Sequence, residues 1–248
     1  SMVNLGMVLN AIDHDVLARQ YFETALAIFE TDLGPKHSRT IWAREHLGVL
    51  QQDMGNYVAA RSNLERVLKL RIEVQGPDND DTAWAMINLG SLHQIRQDYA
   101  QAFEMYQSAM AIYEKLHGRQ HVDVAHLLRT IGNLHVDMED YETGRRYLNE
   151  ALKIYRAAKG DYSNKIALIL NNMGRLHRLR NDYDTARDFF EQSLALLRKA
   201  HGPSHPLVLS ALESLGHLFE VSGNYEKAQN YYEEALFISE KKWGLNHL

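Results

Sequence analysis

The chain of 248 residues contains no cysteine, only four prolines, no cationic excess and no long apolar run. Without cysteine there are no disulfides and no thiolate chemistry, which is the composition expected of a cytoplasmic protein. So few prolines leave long helices uninterrupted, and the 45% hydrophobic and 24% charged content, rich in Ala, Leu, Glu, Arg and Gln, suits an all-helical protein. A net charge of −5 argues against a general nucleic-acid binder, which needs a concentrated basic face. The longest apolar stretches, such as Ile166 to Leu170, fall far short of the roughly 20 residues that cross a bilayer, so no membrane insertion is expected. No phosphate loop, nucleophile elbow or Gly-x-Gly-x-x-Gly occurs, and no cofactor or enzymatic activity is expected.

What the chain does have is a period. Leu-Gly or a close variant stands at Leu5-Gly6, Leu47-Gly48, Leu89-Gly90, Ile131-Gly132, Met173-Gly174 and Leu215-Gly216, always 42 residues apart. A second ladder, Gly34, Gly76, Gly118, Gly160, Gly202 and Gly244, keeps the same spacing, so twelve of the fifteen glycines occupy two positions of one unit. Small residues recur at Ala18, Ala60, Ala102, Gly144, Ala186 and Ala228, where two helices approach closely. One helical turn later come Phe22, Leu64, Tyr106, Leu148, Phe190 and Tyr232 on the same face. Asn56-Tyr57, Asp98-Tyr99, Asp140-Tyr141, Asp182-Tyr183 and Asn224-Tyr225 read as tight turns between the two helices of a hairpin. Each unit is therefore helix A, a turn, helix B and a loop closed by glycine, with repeats at about 1–40, 41–82, 83–124, 125–166, 167–208 and 209–248. One hairpin cannot bury both faces, so the core forms between neighbours along a single array spanning 1–248.

These columns resemble the tetratricopeptide repeat, in which Leu-Gly is followed by Ala-x-x-x-aromatic, as in Leu89-Gly90 with Ala102 and Tyr106. The 42-residue unit and its Gly-Pro-x-His loops, Gly34-Pro35-Lys36-His37 and Gly202-Pro203-Ser204-His205, look like the kinesin light chain type. The resemblance implies a right-handed superhelical solenoid of six antiparallel hairpins that binds proteins or peptides on the concave face lined by helix A. It departs from the usual pattern where His93, His135 and His177 replace an aromatic residue three positions after the first glycine. Successive hairpins lie about 10 Å apart, too far for these imidazoles to share a metal, so they are expected to fill the aromatic position in the stack. His37, His121, His205 and His247 are expected to satisfy backbone groups at the loops. Asp78-Asn79-Asp80-Asp81 lacks the glycine and the terminal glutamate of a calcium loop and reads as helix N-terminal charge.

The columns of helix A that the hairpin seam does not use vary most. Within them Arg129 and Asn133 lie one turn apart, and Asn171, Asn172, Arg175 and Arg178 follow on the next hairpin, with Trp42 and Trp84 as a possible aromatic shelf. Arginine forks match carboxylates and asparagine amides match a peptide backbone. The candidate peptide-binding set is therefore Trp84, Arg129, Asn133, Asn171, Asn172, Arg175 and Arg178, with an acidic or carboxylate-bearing extended segment as ligand. Arg129, Asn133 and Asn172 resemble part of the carboxylate clamp of chaperone-binding tetratricopeptide domains, but Ser210 and Ser214 stand where that clamp has basic residues. The alternative is a structural or regulatory sensor array within a larger multidomain protein, acting through convex-face contacts or self-association.

Overall fold

The computed structural model describes residues 2–11 and 14–243; Gly244 and His247 lie outside the described residues. Twelve helices and no strand occur among the described residues. Contacts group the chain into two compact units, residues 1–119 and 120–248. The first holds α1 (Met2–Asn10), α2 (Asp15–Asp32), α3 (Ser38–Asp53), α4 (Tyr57–Gln75), α5 (Asp80–Ile95) and α6 (Tyr99–His117). The second holds α7 (Val122–Asp137), α8 (Tyr141–Ala157), α9 (Ser163–Leu179), α10 (Tyr183–His201), α11 (Leu207–Val221) and α12 (Tyr225–Trp243). Each odd-numbered helix packs on the even-numbered helix that follows it, as a hairpin. Within the first unit α1, α3 and α5 also touch in series, and within the second α7, α9 and α11 do so. Each unit therefore presents one face built from helix A of its three hairpins.

The hairpins begin earlier than the repeat boundaries read from the sequence. Helix α3 starts at Ser38, α5 at Asp80, α7 at Val122 and α9 at Ser163, so those boundaries fall within the first turn or so of helix A. The cause is in the loops: His37, His121 and His205 accept hydrogen bonds at Nδ1 from the N–H groups of Arg39, Asp123 and Leu207, and Asn79 caps Asp81 in the same way. These residues stop the loop and start the helix. In the intra-hairpin turns the Asp140 and Asp182 carboxylates accept from the N–H groups of Thr143 and Thr185, and Asn56 accepts from Ala59.

Close approach of the two helices in a hairpin explains the first glycine ladder. A Cβ on Gly174 would stand 2.5 Å from Cε1 of Phe190, and one on Gly90 would stand 2.6 Å from the Tyr106 ring. The large residue of helix B lies directly on the glycine of helix A. At the other ladder Gly76 ends α4 with φ +87°, a conformation that side chains rarely adopt.

Two of the three histidines, His135 and His177, occupy the aromatic position expected of them in the stack. The rings of His135 and Tyr147 stack at 5.5 Å, those of His177 and Phe189 at 5.4 Å, and in the last hairpin Phe219 and Tyr231 stack at 5.6 Å. The same imidazoles also meet the turn carboxylates: Nδ1 of His177 is 2.9 Å from Asp182 and Nδ1 of His135 is 3.2 Å from Asp140. The acidic loop of the first unit is likewise consumed by structure, with Asp78 paired to Lys115, Asp80 to His117 and Asp81 to Arg71.

Candidate functional site

Helices α7 and α9 bring six of the seven candidate residues to the helix-A face of the second unit. Arg129 and Asn133 lie on α7, and Asn171, Asn172, Arg175 and Arg178 lie on α9. All six side chains are half-buried. Trp84 lies exposed on α5, in the first unit. Trp42 packs inward instead, edge-on to His46 at 4.7 Å and against the cluster around Val3, Phe22 and Leu47.

The three arginines differ in what they already hold. Arg175 donates to Asp137 on α7, so its charge is largely neutralised across the hairpin junction. Arg129 lies with Nη2 3.4 Å from Nε2 of His126 one turn earlier. Burial, then the Arg129 and Lys165 cations, lower the His126 pKa to about 4, so the ring is neutral at pH 7. The Arg178 guanidinium forms no ion pair or hydrogen bond among the described residues. Burial also pushes the nearby Tyr155 phenol up to about 12, against the opposing pull of Arg129.

The amides carry a stronger signal. Oδ1 of Asn133, Oδ1 of Asn171 and Nδ2 of Asn172 are each buried and without a hydrogen-bond partner. A buried polar atom left unpaired costs about 1–3 kcal/mol, so three on one face mark a surface whose hydrogen bonding is incomplete. On α11 the pattern ends: Ser214 donates back to the Ser210 carbonyl at 2.7 Å, and Glu213 brings a carboxylate where a clamp would need a cation.

In the first unit part of the corresponding face is bonded internally, although Oε1 of Gln52 on α3 is also buried without a hydrogen-bond partner. Glu45 is buried on α3 and bonded to Arg71 at 3.2 Å and to Asn88 at 2.9 Å, while Arg71 also meets Asp81 at 2.6 Å. Burial raises the Glu45 pKa, with Arg71 acting against it. The Asp137 counter-charge and the Glu45 network were missed in the sequence. A signal existed, because ion pairs between hairpins recur at a separation of one repeat less about one helical turn, 38 residues for both Asp137–Arg175 and Glu142–Arg180.

The sequence profile described as tetratricopeptide repeat matches residues 1–73, 45–115, 81–157, 123–199 and 165–241 in overlapping windows. The chain belongs to the tetratricopeptide repeat family. Proteins of this family are repeat scaffolds that generally mediate protein–protein interaction and are generally non-enzymatic. No curated protein matches the chain. Among solved structures it is similar to BtubC (BKLC) from P. vanneervenii, at 21% identity over 96% of this chain and 94% of that one, with a TM-score of 0.69. It is also similar to a Podosopora anserina kinesin light chain candidate with nearly identical TPR-like repeats, at 16% identity over 82% and 95% of the two chains and a TM-score of 0.64. A third, Pseudomonas aeruginosa pilF, shares 21% identity over 79% and 75% with a TM-score of 0.54. At these identities the likeness is one of fold. No helix among the described residues is long and apolar enough to cross a membrane.

Proposed function

We propose that the tetratricopeptide scaffold binds an extended protein segment along the helix-A face of its second unit, with Arg129, Asn133, Asn171, Asn172, Arg175 and Arg178 as the contact set. The observation that carries this reading is the group of three buried, unpartnered amide atoms on Asn133, Asn171 and Asn172. Two are acceptors and one is a donor, the combination an extended backbone of alternating N–H and C=O groups can complete. Arg178 supplies an uncommitted guanidinium for an acidic side chain or a terminal carboxylate, and Arg129 adds positive charge on the neighbouring helix. Arg175 contributes less, because binding a ligand carboxylate there competes with Asp137. Trp84 forms a separate aromatic contact for a partner reaching the first unit. The setting is cytoplasmic, in keeping with a chain that has no cysteine.

The test is a peptide-display selection against the wild-type chain, followed by affinity measurement on an Arg129→Glu, Arg178→Glu double variant and on Asn171→Ala. Selected peptides are expected to be enriched in Asp and Glu, with affinity falling at least tenfold in the double variant. Unchanged binding of every selected peptide in both variants would remove this face as the site.

A further inference from the structure

Inside each unit, one position of the repeat sends a helix-B side chain into the junction between two successive helices A, and the residues at that position differ in size. At the junction of α1 with α3 it is Phe29, packed on the cluster around Val3 and Leu47. Between α3 and α5 it is Arg71, whose guanidinium reaches Glu45 on one helix and Asp81 on the other. Between α7 and α9 it is the buried ring of Tyr155, within electrostatic reach of Arg129 and Asp123. Between α9 and α11 the same position is Leu197, the shortest of the four. Helix α11 opposes it with Ser210, in the column where the earlier helices A carry Trp42, Trp84, His126 and Leu168. Two small residues at one junction leave a cavity of about 60 Å³ between α9, α10 and α11.

The cavity behaves as an apolar one although half of its walls are polar. Leu197 and Ala167 are buried in it, and Leu168 and Leu207 stand at its mouth, 43% and 40% exposed. Of the polar walls, Ser193 donates to the Ala167 carbonyl at 2.9 Å, Asn164 holds His201 through Oδ1, and Ser210 turns its hydroxyl to the Leu207 carbonyl. Those groups are spent inside the protein. The exception is Asn171, whose Oδ1 is buried and has no hydrogen-bond partner. A void of about 150 Å³ takes a benzene ring, and a water occupies about 30 Å³. At about 60 Å³ this cavity takes the branched tip of a valine or an isoleucine and no aromatic ring.

We propose that this cavity is an anchor pocket for a short branched aliphatic side chain, Val or Ile, of an extended protein segment. The inference rests on the peptide-binding reading of the α7 and α9 face and supplies its specificity. The methyl groups fill the void, and the ligand's backbone N–H beside them donates to Oδ1 of Asn171. Asn171 and Arg178 are seven residues apart on one face of α9, about 10 Å along the helix. An extended chain covers that distance in about three residues, so an acidic side chain at that spacing from the aliphatic one reaches the Arg178 guanidinium. The preferred ligand is therefore an aliphatic and an acidic residue at fixed spacing, rather than an acidic tract.

The test is a fluorescence-anisotropy titration of the whole chain with peptides of about ten residues that carry Glu three positions from Val, in either order, on a Ser and Gly background. Matched peptides replace Val by Ile, Ala or Trp. The proteins are wild type, Arg178→Glu, and Ser210→Leu, which fills the cavity from an exposed position. Circular dichroism checks that each variant folds. Wild type is expected to bind the Val and Ile peptides about tenfold more tightly than the Ala and Trp peptides. Ser210→Leu is expected to abolish that preference and leave the affinity for the Ala peptide unchanged, while Arg178→Glu weakens all four. Peptides that bind wild type and weaken in Arg178→Glu, but show no preference for Val or one that survives Ser210→Leu, would overturn the anchor and spare the peptide-binding face. A preference lost in Ser210→Leu with no effect of Arg178→Glu would keep the anchor and remove the arginine contact. Wild type that binds none of the peptides would overturn both.

Discussion

At the residue scale, the side chains that look chemical are mostly engaged in structure. His135 and His177 stack on aromatic rings and face turn carboxylates, while His37, His121 and His205 cap helices. His126 differs, because its environment disfavours the charged ring. Its folded-state pKa of about 4 lies below the ordinary 6.5, so the unfolded chain binds a proton there first as pH falls. Its contribution to stability is complete above 6.5 and is lost as pH drops through that value toward 4. Urea unfolding at a series of pH values is expected to show a loss on the order of 2 kcal/mol across that window, flattened in His126→Gln. Gly174→Ala, which would drive a Cβ into the Phe190 ring, is expected to lower stability by about 1–3 kcal/mol and is checked by thermal denaturation. The glycine was visible in the sequence as a period; that it faces a ring was visible only as the spacing to Phe190.

At the element scale, hairpins are joined by packed apolar columns and by ion pairs set one turn back along the neighbouring helix A. The Glu45–Arg71–Asp81 group ties α3, α4 and α5 and is buried at its centre. Removing one charge strands the other: Arg71→Ala is expected to cost about 3–5 kcal/mol, whereas the paired Glu45→Leu, Arg71→Met change costs much less. A double-mutant cycle in denaturant measures the difference. The same reasoning explains why the candidate site was only partly legible. The sequence placed Arg129, Asn133, Asn171, Asn172, Arg175 and Arg178 on one type of face by their columns, but a column does not say which neighbour a side chain reaches. Arg175 reaches Asp137, and Trp84 belongs to the other unit.

At the scale of the whole molecule, nearest-neighbour packing limits how far a local change travels. Glu45→Ala is expected to speed hydrogen exchange in α3, α4 and α5 while amides of α9 to α12 keep wild-type protection, as read by exchange mass spectrometry. Uniform loss of protection along the chain would show that the hairpins unfold together.

The repeat period, the helix pairs, the turn chemistry and the family were all determined by the sequence alone, because each hairpin repeats the same short-range constraints every 42 residues. Local rules of capping, glycine placement and helical spacing need no knowledge of what lies across a junction. Only the tertiary structure decided which charges cancel, which amides stay unpartnered and which apolar positions stay exposed. Those properties depend on the side chain that a neighbouring hairpin brings within a few ångströms, and Arg175, Asn171 and Leu168 owe their different states to that neighbour rather than to their own columns.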